Sequence, residues 1–258
     1  MTLVIALRCA DGLVMVSDSR MSAGSRQSAD ISQKFLQVNR DVGIMTYGLA
    51  DPGYRGIRLL VEVVHADPST FSTMKSIIDS AQQLFPTVHK QFLDSLRQED
   101  GALPPGIEQE SVGYVMGGYD GNDTAQFRIH SCSSPDFQFH ELSGATLTFA
   151  QWPLARWLLQ HLEYPGMSVS HGLAIAVMVM IIVSTFEDSV GGPIHIATVM
   201  LEQGFSLLNE REVAHLVETV QPSLLALRGA WQEAWQVGME ASMPQPSFGG
   251  AFPIEDGR

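Results

Sequence analysis

Short apolar runs and turn residues alternate over the first fifty residues. Residues 2–17 contain two β-rich runs joined by an Asp-Gly turn at residues 11–12, which is a strong hairpin signal. A second apolar pair, residues 34–38 and 42–47, flanks another polar turn. The pattern predicts two β-hairpins separated by a polar loop over residues 22–30.

Helical spacing of apolar residues follows over residues 51–96 and predicts two antiparallel helices, with Pro68 and Ser69 at the start of the second. A meander of strands follows over residues 112–149, and then two helices over residues 153–161 and 170–185. The chain continues with a strand over residues 194–201 and a last helix over residues 210–234. Strands and helices in this order bury their apolar faces most simply as stacked layers. We therefore expect an α+β sandwich with helices outside two sheets.

The end of the chain differs in composition from the rest. Residues 239–258 are rich in Pro, Gly and Ser, and such segments lack the apolar surface that holds a packed core together. We expect one domain over residues 1–238 and a disordered tail over residues 239–258.

The charge of the chain limits its partners. The net charge is −13 and there is no basic run, which disfavours nucleic acid and anionic membrane surfaces, since both are bound by clustered Lys and Arg. The longest apolar run, residues 173–183, has eleven residues, about half of what a bilayer crossing requires. It predicts a buried helix. Charged residues make up only 17% of the chain, which favours oligomerisation.

Cysteine and histidine usage argues against metal binding. Cys9 and Cys132 lie in different predicted strands without metal-ligand spacing, and the eight histidines show no paired spacing. The N-terminus is strand-like and has no visible secretory signal. We expect a cytoplasmic protein that uses no metal and no cofactor.

Three residues stand out by position, because Thr2, Asp18 and Lys34 are each sixteen residues from the next. Removal of Met1 would leave Thr2 with a free α-amino group, whose pKa of about 7.7–8.0 suits it as the general base for the threonine hydroxyl. A nearby Lys34 ammonium would lower that pKa, and Asp18 would hold the lysine charged and oriented. Gly48 is a candidate oxyanion donor, since glycine lets its backbone N–H approach a substrate carbonyl.

With these residues, the sequence resembles the proteasome β-subunit family and the bacterial ring proteases related to it. Residues 12–20, which read GLVMVSDSR, and the dipeptide at residues 47–48 match the family's motifs. The resemblance is clear over residues 2–50 and weaker to about residue 205. It implies a four-layer αββα sandwich of two antiparallel sheets, which is the N-terminal-nucleophile (Ntn) hydrolase fold. It also implies the roles of nucleophile, oriented acid, lysine and oxyanion glycine for Thr2, Asp18, Lys34 and Gly48.

The same resemblance implies a substrate site. The channel would be lined by Arg20, Ser22, Gly48 and Ala50, and the first specificity pocket by Met21, Leu36, Thr46 and Ala50. Ser22 and Ala50 would hydrogen-bond the peptide backbone as an added strand. The pocket would be neutral and moderately apolar, and would favour uncharged residues before the cleaved bond.

Two segments depart from the pattern of this family. Its first supporting serine is replaced by Ala150 and its second by Val190. Asp188 or Ser189 would substitute for them through a shifted register. The altered support predicts slow or conditional catalysis.

Three functions stay open at this point. The first is a threonine-type endopeptidase subunit of a self-compartmentalising homo-oligomeric ring, acting on proteins or peptides that an ATP-dependent unfoldase delivers. The second is a small-molecule amidase with the same nucleophile. The third is a catalytically inactive structural ring subunit, although structural α-type subunits carry an N-terminal helical extension that this chain lacks.

Overall fold

The computed structural model describes residues 3–23, 26–29, 34–98, 101–107, 110–120, 126–142, 146–149 and 153–242. The chain divides into one unit of residues 1–219 and a second of residues 220–258. The described part of the second unit is helical and ends at Ser242. The predicted domain end at residue 238 and the disordered tail stay predictions.

The first sheet is built around the N-terminal hairpin. Strands β1 (Val4–Arg8) and β2 (Gly12–Asp18) pair antiparallel across the Asp-Gly turn, as the sequence predicts. β10 (Thr146–Phe149) pairs with β1, β11 (Ile194–Met200) with β2, and β12 (Gly204–Leu207) with β11. Every residue of β2 is buried, because this central strand is covered on both faces.

The second sheet contains the second predicted hairpin and a meander. Its antiparallel strands, in spatial and chain order, are β5 (Phe35–Gln37), β6 (Val42–Gly48), β7 (Val112–Gly118), β8 (Arg128–Ser133) and β9 (His140–Glu141). The two longest strands, β6 and β7, form its centre, and β7 is buried along its whole length.

The described residues include five α-helices, which agrees with the predicted number. These are α1 (Ala50–Ala66), α2 (Met74–Leu96), α3 (Pro153–Leu162), α4 (Val169–Phe186) and α5 (Glu210–Ser242). The fold is therefore α+β, with two antiparallel sheets and five helices, and it is compatible with a sandwich.

Apolar side chains join these elements in two clusters. One cluster contains residues of both sheets, including Val4, Met15, Met45 and Val115, so the two sheets face each other across it. The other joins the second sheet to α1 and α2, with Ile57, Phe85 and Tyr114 at its centre. The Phe85 and Tyr114 rings stack with centroids 3.7 Å apart. These clusters hold together the strand ends that carry the candidate site.

Helix α4 is long and apolar enough to cross a membrane, with a mean hydropathy of 2.1 and 39% of its residues buried. One such helix is weak evidence for a span, because core helices of soluble proteins share these properties. On this protein α4 packs against the first sheet. A Cβ atom at Gly172 would lie 2.7 Å from the Cys9 sulfur and 3.3 Å from the Val14 side chain.

Three local predictions are wrong. Residues 146–149 were predicted to continue the meander that begins at residue 112, but β10 pairs with β1, whose apolar edge would otherwise be left unpaired. The polar loop over residues 22–30 contains a small antiparallel pair, β3 (Met21–Ala23) and β4 (Arg26–Ala29), which backbone hydrogen bonds form without an apolar pattern. Strand β12 was not predicted at all.

The second helix also begins later than predicted. Asp67 accepts hydrogen bonds from the hydroxyls of Ser69 and Thr70, which favours a turn at this point. Helix α2 starts only at Met74, where the Thr73 hydroxyl accepts the Ser76 N–H at 3.2 Å as an N-cap.

The core cluster beside α2 predicts a difference between two Phe→Ala substitutions. Phe85→Ala should lower the free energy of unfolding by about 3–5 kcal/mol, because it removes a fully buried ring and leaves a cavity. Phe186→Ala, at a position 71% exposed, should change it by less than about 0.5 kcal/mol. Urea unfolding followed by circular dichroism measures both, and equal losses would contradict the packing described here.

Candidate active site

A buried ion pair lies where the two sheets meet. Asp18 is the last residue of β2, and Lys34 immediately precedes β5. The Lys34 Nζ donates to Asp18 Oδ1 at 2.8 Å, and the two side chains are only 5% and 1% exposed. The structure therefore brings together two of the predicted catalytic residues, one from each sheet.

Backbone groups complete the surroundings of both charges. The Leu3 N–H donates to Asp18 Oδ1 at 3.1 Å and the Gly191 N–H to Oδ2 at 3.3 Å, while Lys34 Nζ also donates to the Arg20 carbonyl at 2.9 Å. Such donors favour the ionised carboxylate. They offset part of the desolvation cost that a buried ion pair always carries.

Burial and pairing act on these two groups in opposite directions. Burial raises the pKa of the Asp18 carboxyl and lowers the pKa of the Lys34 ammonium, because each charge loses solvation. Their mutual attraction and hydrogen bond oppose both shifts. The Asp18 carboxylate is therefore the group that favours the charged form of Lys34 in this buried position.

Arg20 fixes the loop that supplies the Gly191 donor. Its guanidinium donates to the carbonyls of Asp188 and Val190, and its own backbone N–H donates to the Gly191 carbonyl at 3.0 Å. A Cβ atom at Gly191 would lie 2.8 Å from the guanidinium carbon. Glycine is therefore required at this position for the arginine to lie against the loop.

Gly48 ends β6 with φ +82°, which is a left-handed conformation that favours glycine. A Cβ atom there would lie 1.9 Å from the Ser111 carbonyl oxygen. The backbone thus requires glycine at residue 48 whether or not its N–H binds an oxyanion. The oxyanion role stays a prediction.

Three of the predicted pocket residues gather at the start of α1. Ala50 is the first residue of that helix, Leu36 packs against the cluster beside it, and Thr46 donates its hydroxyl to the Gly113 carbonyl at 3.1 Å. The Thr46 side chain also faces α1, because a Cβ atom at Gly53 would lie 2.3 Å from its hydroxyl oxygen. The side chains of these three residues are themselves uncharged.

Other predicted residues are placed less completely. Thr2 and Ala150 lie outside the described residues. Met21 and Ser22 are in β3, where Ser22 pairs with Gln27 of β4, but only their backbone is described. Their contacts with substrate stay predictions.

The segment before β11 was expected to supply supporting groups. Asp188 is exposed and its backbone carbonyl accepts from Arg20, while Val190 is fully buried. The Ser189 hydroxyl is buried and has no hydrogen-bond partner among the described residues. Whether Asp188 or Ser189 supports catalysis stays a prediction.

Two polar residues beside the ion pair were not predicted. Ser17 and His195 are directly opposite each other on β2 and β11, one pair away from Asp18. The visible signal was a polar residue inside each largely apolar strand, Ser17 in LVMVSD and His195 in IHIATVM. Histidines were examined only for paired metal-ligand spacing, so this signal was missed.

No other feature of the described residues competes for this role. None of them forms a group of three His, Cys, Asp or Glu side chains that could hold a metal ion. A cavity of about 520 Å³ lies elsewhere, between the β5–β6 turn and the end of α1, and is lined by residues that include Asn39, Arg40, His65 and Phe71. No predicted catalytic residue lines it.

Comparison with solved structures defines the fold further. Anbu, an ancestral beta-subunit from Yersinia bercovieri, matches with a TM-score of 0.65 at 16% identity, over 96% of this chain and 100% of that one. An Anbu mutant from Hyphomicrobium sp. strain MC1 matches with a TM-score of 0.66 at 14% identity, over 90% and 97%. No protein-family model and no curated protein sequence matches the chain. The chain therefore has the proteasome-like fold of these proteins.

These matches correct the assignment made from the sequence. The resemblance to proteasome β-subunits and the bacterial ring proteases related to them is wrong as a family assignment, because the matching structures are Anbu proteins, which are proteasome-like but have a different arrangement. The motif at residues 12–20 led to that assignment.

The buried ion pair predicts a large effect of removing one partner. Lys34→Met should lower the free energy of unfolding by about 3–5 kcal/mol, because it leaves the Asp18 carboxylate buried without its cation. The double variant Asp18→Asn, Lys34→Met should be more stable than Lys34→Met. Urea unfolding at pH 7 measures both.

Lys90→Met is the matched control for this experiment, since it removes an exposed i,i+4 partner of Asp94 on α2. Exposed pairs of this kind contribute little to stability, so Lys90→Met should unfold like the unmodified protein. An equal loss of stability in Lys34→Met and Lys90→Met would show that the Asp18–Lys34 pair is solvated.

Proposed function

We propose that the protein is a hydrolase of peptide bonds in which Thr2, freed by removal of Met1, is the nucleophile. The observation that carries this proposal is the buried Asp18–Lys34 pair, whose carboxylate accepts the backbone N–H of Leu3. Leu3 is covalently next to Thr2 and is held a second time, since its carbonyl accepts the Asp18 N–H at 3.1 Å. The proposal therefore places the ion pair beside the N-terminal nucleophile.

The first half of the reaction would form an ester. The α-amino group of Thr2 takes the proton from the Thr2 hydroxyl, and the oxygen attacks the substrate carbonyl carbon. The Lys34 ammonium lowers the pKa of that amine, so that a larger fraction is neutral near pH 7. The tetrahedral intermediate then collapses, the peptide C–N bond breaks, and the leaving amine takes the proton from the α-amino group.

The second half of the reaction would release the acyl group. A water molecule gives a proton to the α-amino group and attacks the ester carbonyl, and collapse returns the proton to the Thr2 oxygen. The backbone N–H of Gly48 would stabilise the negative oxygen in both halves. Asp18 acts through Lys34, which it holds charged and in place.

The substrate would bind along β3 as an added strand, with Ser22 and Ala50 contacting its backbone. The uncharged side chains of Leu36, Thr46 and Ala50 near the start of α1 would receive the residue before the cleaved bond. Uncharged residues should therefore be preferred at that position. The proposed pocket also includes Met21.

We also propose that the protein acts in the cytoplasm as a homo-oligomeric ring that encloses its sites, with an unfoldase as a further partner. The matching structure from Yersinia bercovieri carries the name beta-subunit, which agrees with an assembly of several chains. Large apolar side chains on and near the outer helices support self-association, since Trp157 is 47% and Phe186 is 71% exposed.

One observation favours a second candidate, a structural ring subunit without activity. Val190 is fully buried, and the Ser189 hydroxyl has no partner among the described residues. The segment that was expected to support the nucleophile thus supplies no hydroxyl bonded to the ion pair. The experiment below separates this candidate from the hydrolase.

A peptide epoxyketone tests the nucleophile, because its ring adduct requires both a free N-terminal amine and the adjacent hydroxyl. Intact mass spectrometry should show a protein without Met1 that carries one adduct. Thr2→Ala should carry none, whereas Thr87→Ala, which removes an exposed hydroxyl on α2, should react fully.

A protein without Met1 that stays unmodified at high reagent concentration would overturn the hydrolase proposal and leave the structural subunit. If the adduct forms, the rates on folded protein, unfolded protein and small amides identify the substrate. Rapid cleavage of small amides with no cleavage of unfolded protein would make the protein a small-molecule amidase.

A further inference from the structure

Ser17 and His195 form a pair of polar side chains next to the proposed site. They are register partners on the antiparallel strands β2 and β11, and the next pair along these strands is Asp18 with Ile194. Directly opposite residues of antiparallel strands share a face, with Cβ atoms about 4.5–5.5 Å apart. The two side chains therefore lie together. They continue the faces of Met15 and Ala197, which pack in the cluster between the sheets with Phe35, the residue after Lys34.

Both side chains have a buried atom that lacks a hydrogen bond. The Ser17 hydroxyl belongs to a residue with no exposed surface, and neither this oxygen nor His195 Nδ1 has a partner among the described residues. A buried polar atom left unpaired costs about 1–3 kcal/mol, and such atoms are nearly always satisfied by protein or by ordered water. A hydroxyl beside an imidazole nitrogen can satisfy two of a water molecule's bonds.

Lys34 acts electrostatically on the His195 imidazole. Burial lowers the pKa of His195, and the Lys34 ammonium lowers it further. The charged groups on the surrounding elements are Lys34 before β5, Asp18 at the end of β2 and Arg20 just after it, Glu187 and Asp188 before β11, and Glu210 at the start of α5. Strands β11 and β12 themselves contain no Asp, Glu, Lys or Arg.

We propose that Ser17 and His195 hold an ordered water beside Lys34, and that His195 is a positioning residue that keeps the Asp18–Lys34 pair intact only while its imidazole is neutral. Protonation at acidic pH would place a second cation next to the ammonium and remove the acceptor lone pair on Nδ1. The site would then lose its arrangement in acid. This inference deepens the proposed function. The expected effect of His195 on catalysis rests on that function.

The sign of the pH effect follows from the direction of the shift. An unfolded histidine takes up its proton near pH 6.5, whereas His195 in the folded protein does so at lower pH. Stability should therefore fall as pH drops through about 6.5 and level off below the folded pKa. His195→Asn keeps a hydrogen-bonding atom near the Nδ1 position but cannot be protonated, so it should remove this part of the loss.

The direct test follows individual histidines by NMR in protein labelled with ¹³C at the imidazole Cε1. His130 on β8 is the internal control, since burial also lowers its pKa but Lys34 does not act on it. In Lys34→Met the titration midpoint of His195 should rise, while that of His130 should stay within about 0.2 unit. A His195 midpoint that does not move, or moves together with that of His130, overturns the inference.

Two further measurements keep the test decisive if Lys34→Met does not fold. Between pH 7.5 and 5, the urea midpoint of the unmodified protein should fall more than that of His195→Asn, and equal falls would overturn the inference. For peptide hydrolysis, with each protein normalised to its own maximum, the fall of kcat/KM below about pH 6.5 should be less steep in His195→Asn and unchanged in His130→Asn, because protonation of the Thr2 amine alone then sets the acid limb. An equally steep fall in His195→Asn would contradict the positioning role.

These measurements separate the inference from the proposed function. If no variant hydrolyses peptide but the NMR midpoints shift as expected, the hydrolase proposal fails and the coupling of His195 to Lys34 stands. If peptide is hydrolysed but His195 does not respond to loss of Lys34, the hydrolase stands and the positioning role fails.

Discussion

The buried ion pair between Asp18 and Lys34 is the constraint on which the rest of this site depends. Two opposite charges that lose their water must be paired and hydrogen-bonded, or their desolvation destabilises the fold. The protein meets this requirement with groups from distant parts of the chain, namely the N–H of Leu3, the N–H of Gly191 and the carbonyl of Arg20. The N-terminal strand, the chain after β2 and the loop before β11 are thereby fixed relative to one another.

The sheets supply the geometry that this pair requires. Asp18 ends the central strand of one sheet and Lys34 precedes the edge strand of the other. An apolar cluster that includes Met15 and Phe35 holds the two sheets face to face behind them. Because such cores are close-packed and deform little, the distance between the two charges is set by side chains that take no part in chemistry. The proposed activity would thus depend on packing as much as on the reacting groups.

Much of this arrangement could be predicted from the sequence, for identifiable reasons. The Asp-Gly turn and the apolar runs around it fixed the first hairpin, and helical periodicity located α1 and α4 to within a few residues. Long-range partners could not be predicted in the same way. Nothing local in residues 146–149 indicates pairing with β1, and nothing in residues 21–29 alternates as a buried strand does. The pairing of Ser17 with His195 likewise depends on register between strands that are far apart in sequence.

The steric requirement at Gly48 has a consequence for reading distant relatives of this chain. Its left-handed backbone and the nearby Ser111 carbonyl exclude any side chain, so the glycine would persist in descendants that had lost all chemistry. The buried charges differ, because apolar residues of similar volume often replace such a pair without loss of stability. A single substitution there leaves one buried charge unpaired, so an inactive descendant would lose Asp18 and Lys34 only by replacing both. Retention of the glycine in a relative therefore says nothing about chemistry, whereas joint loss of the two charges would indicate that the chemistry had been lost.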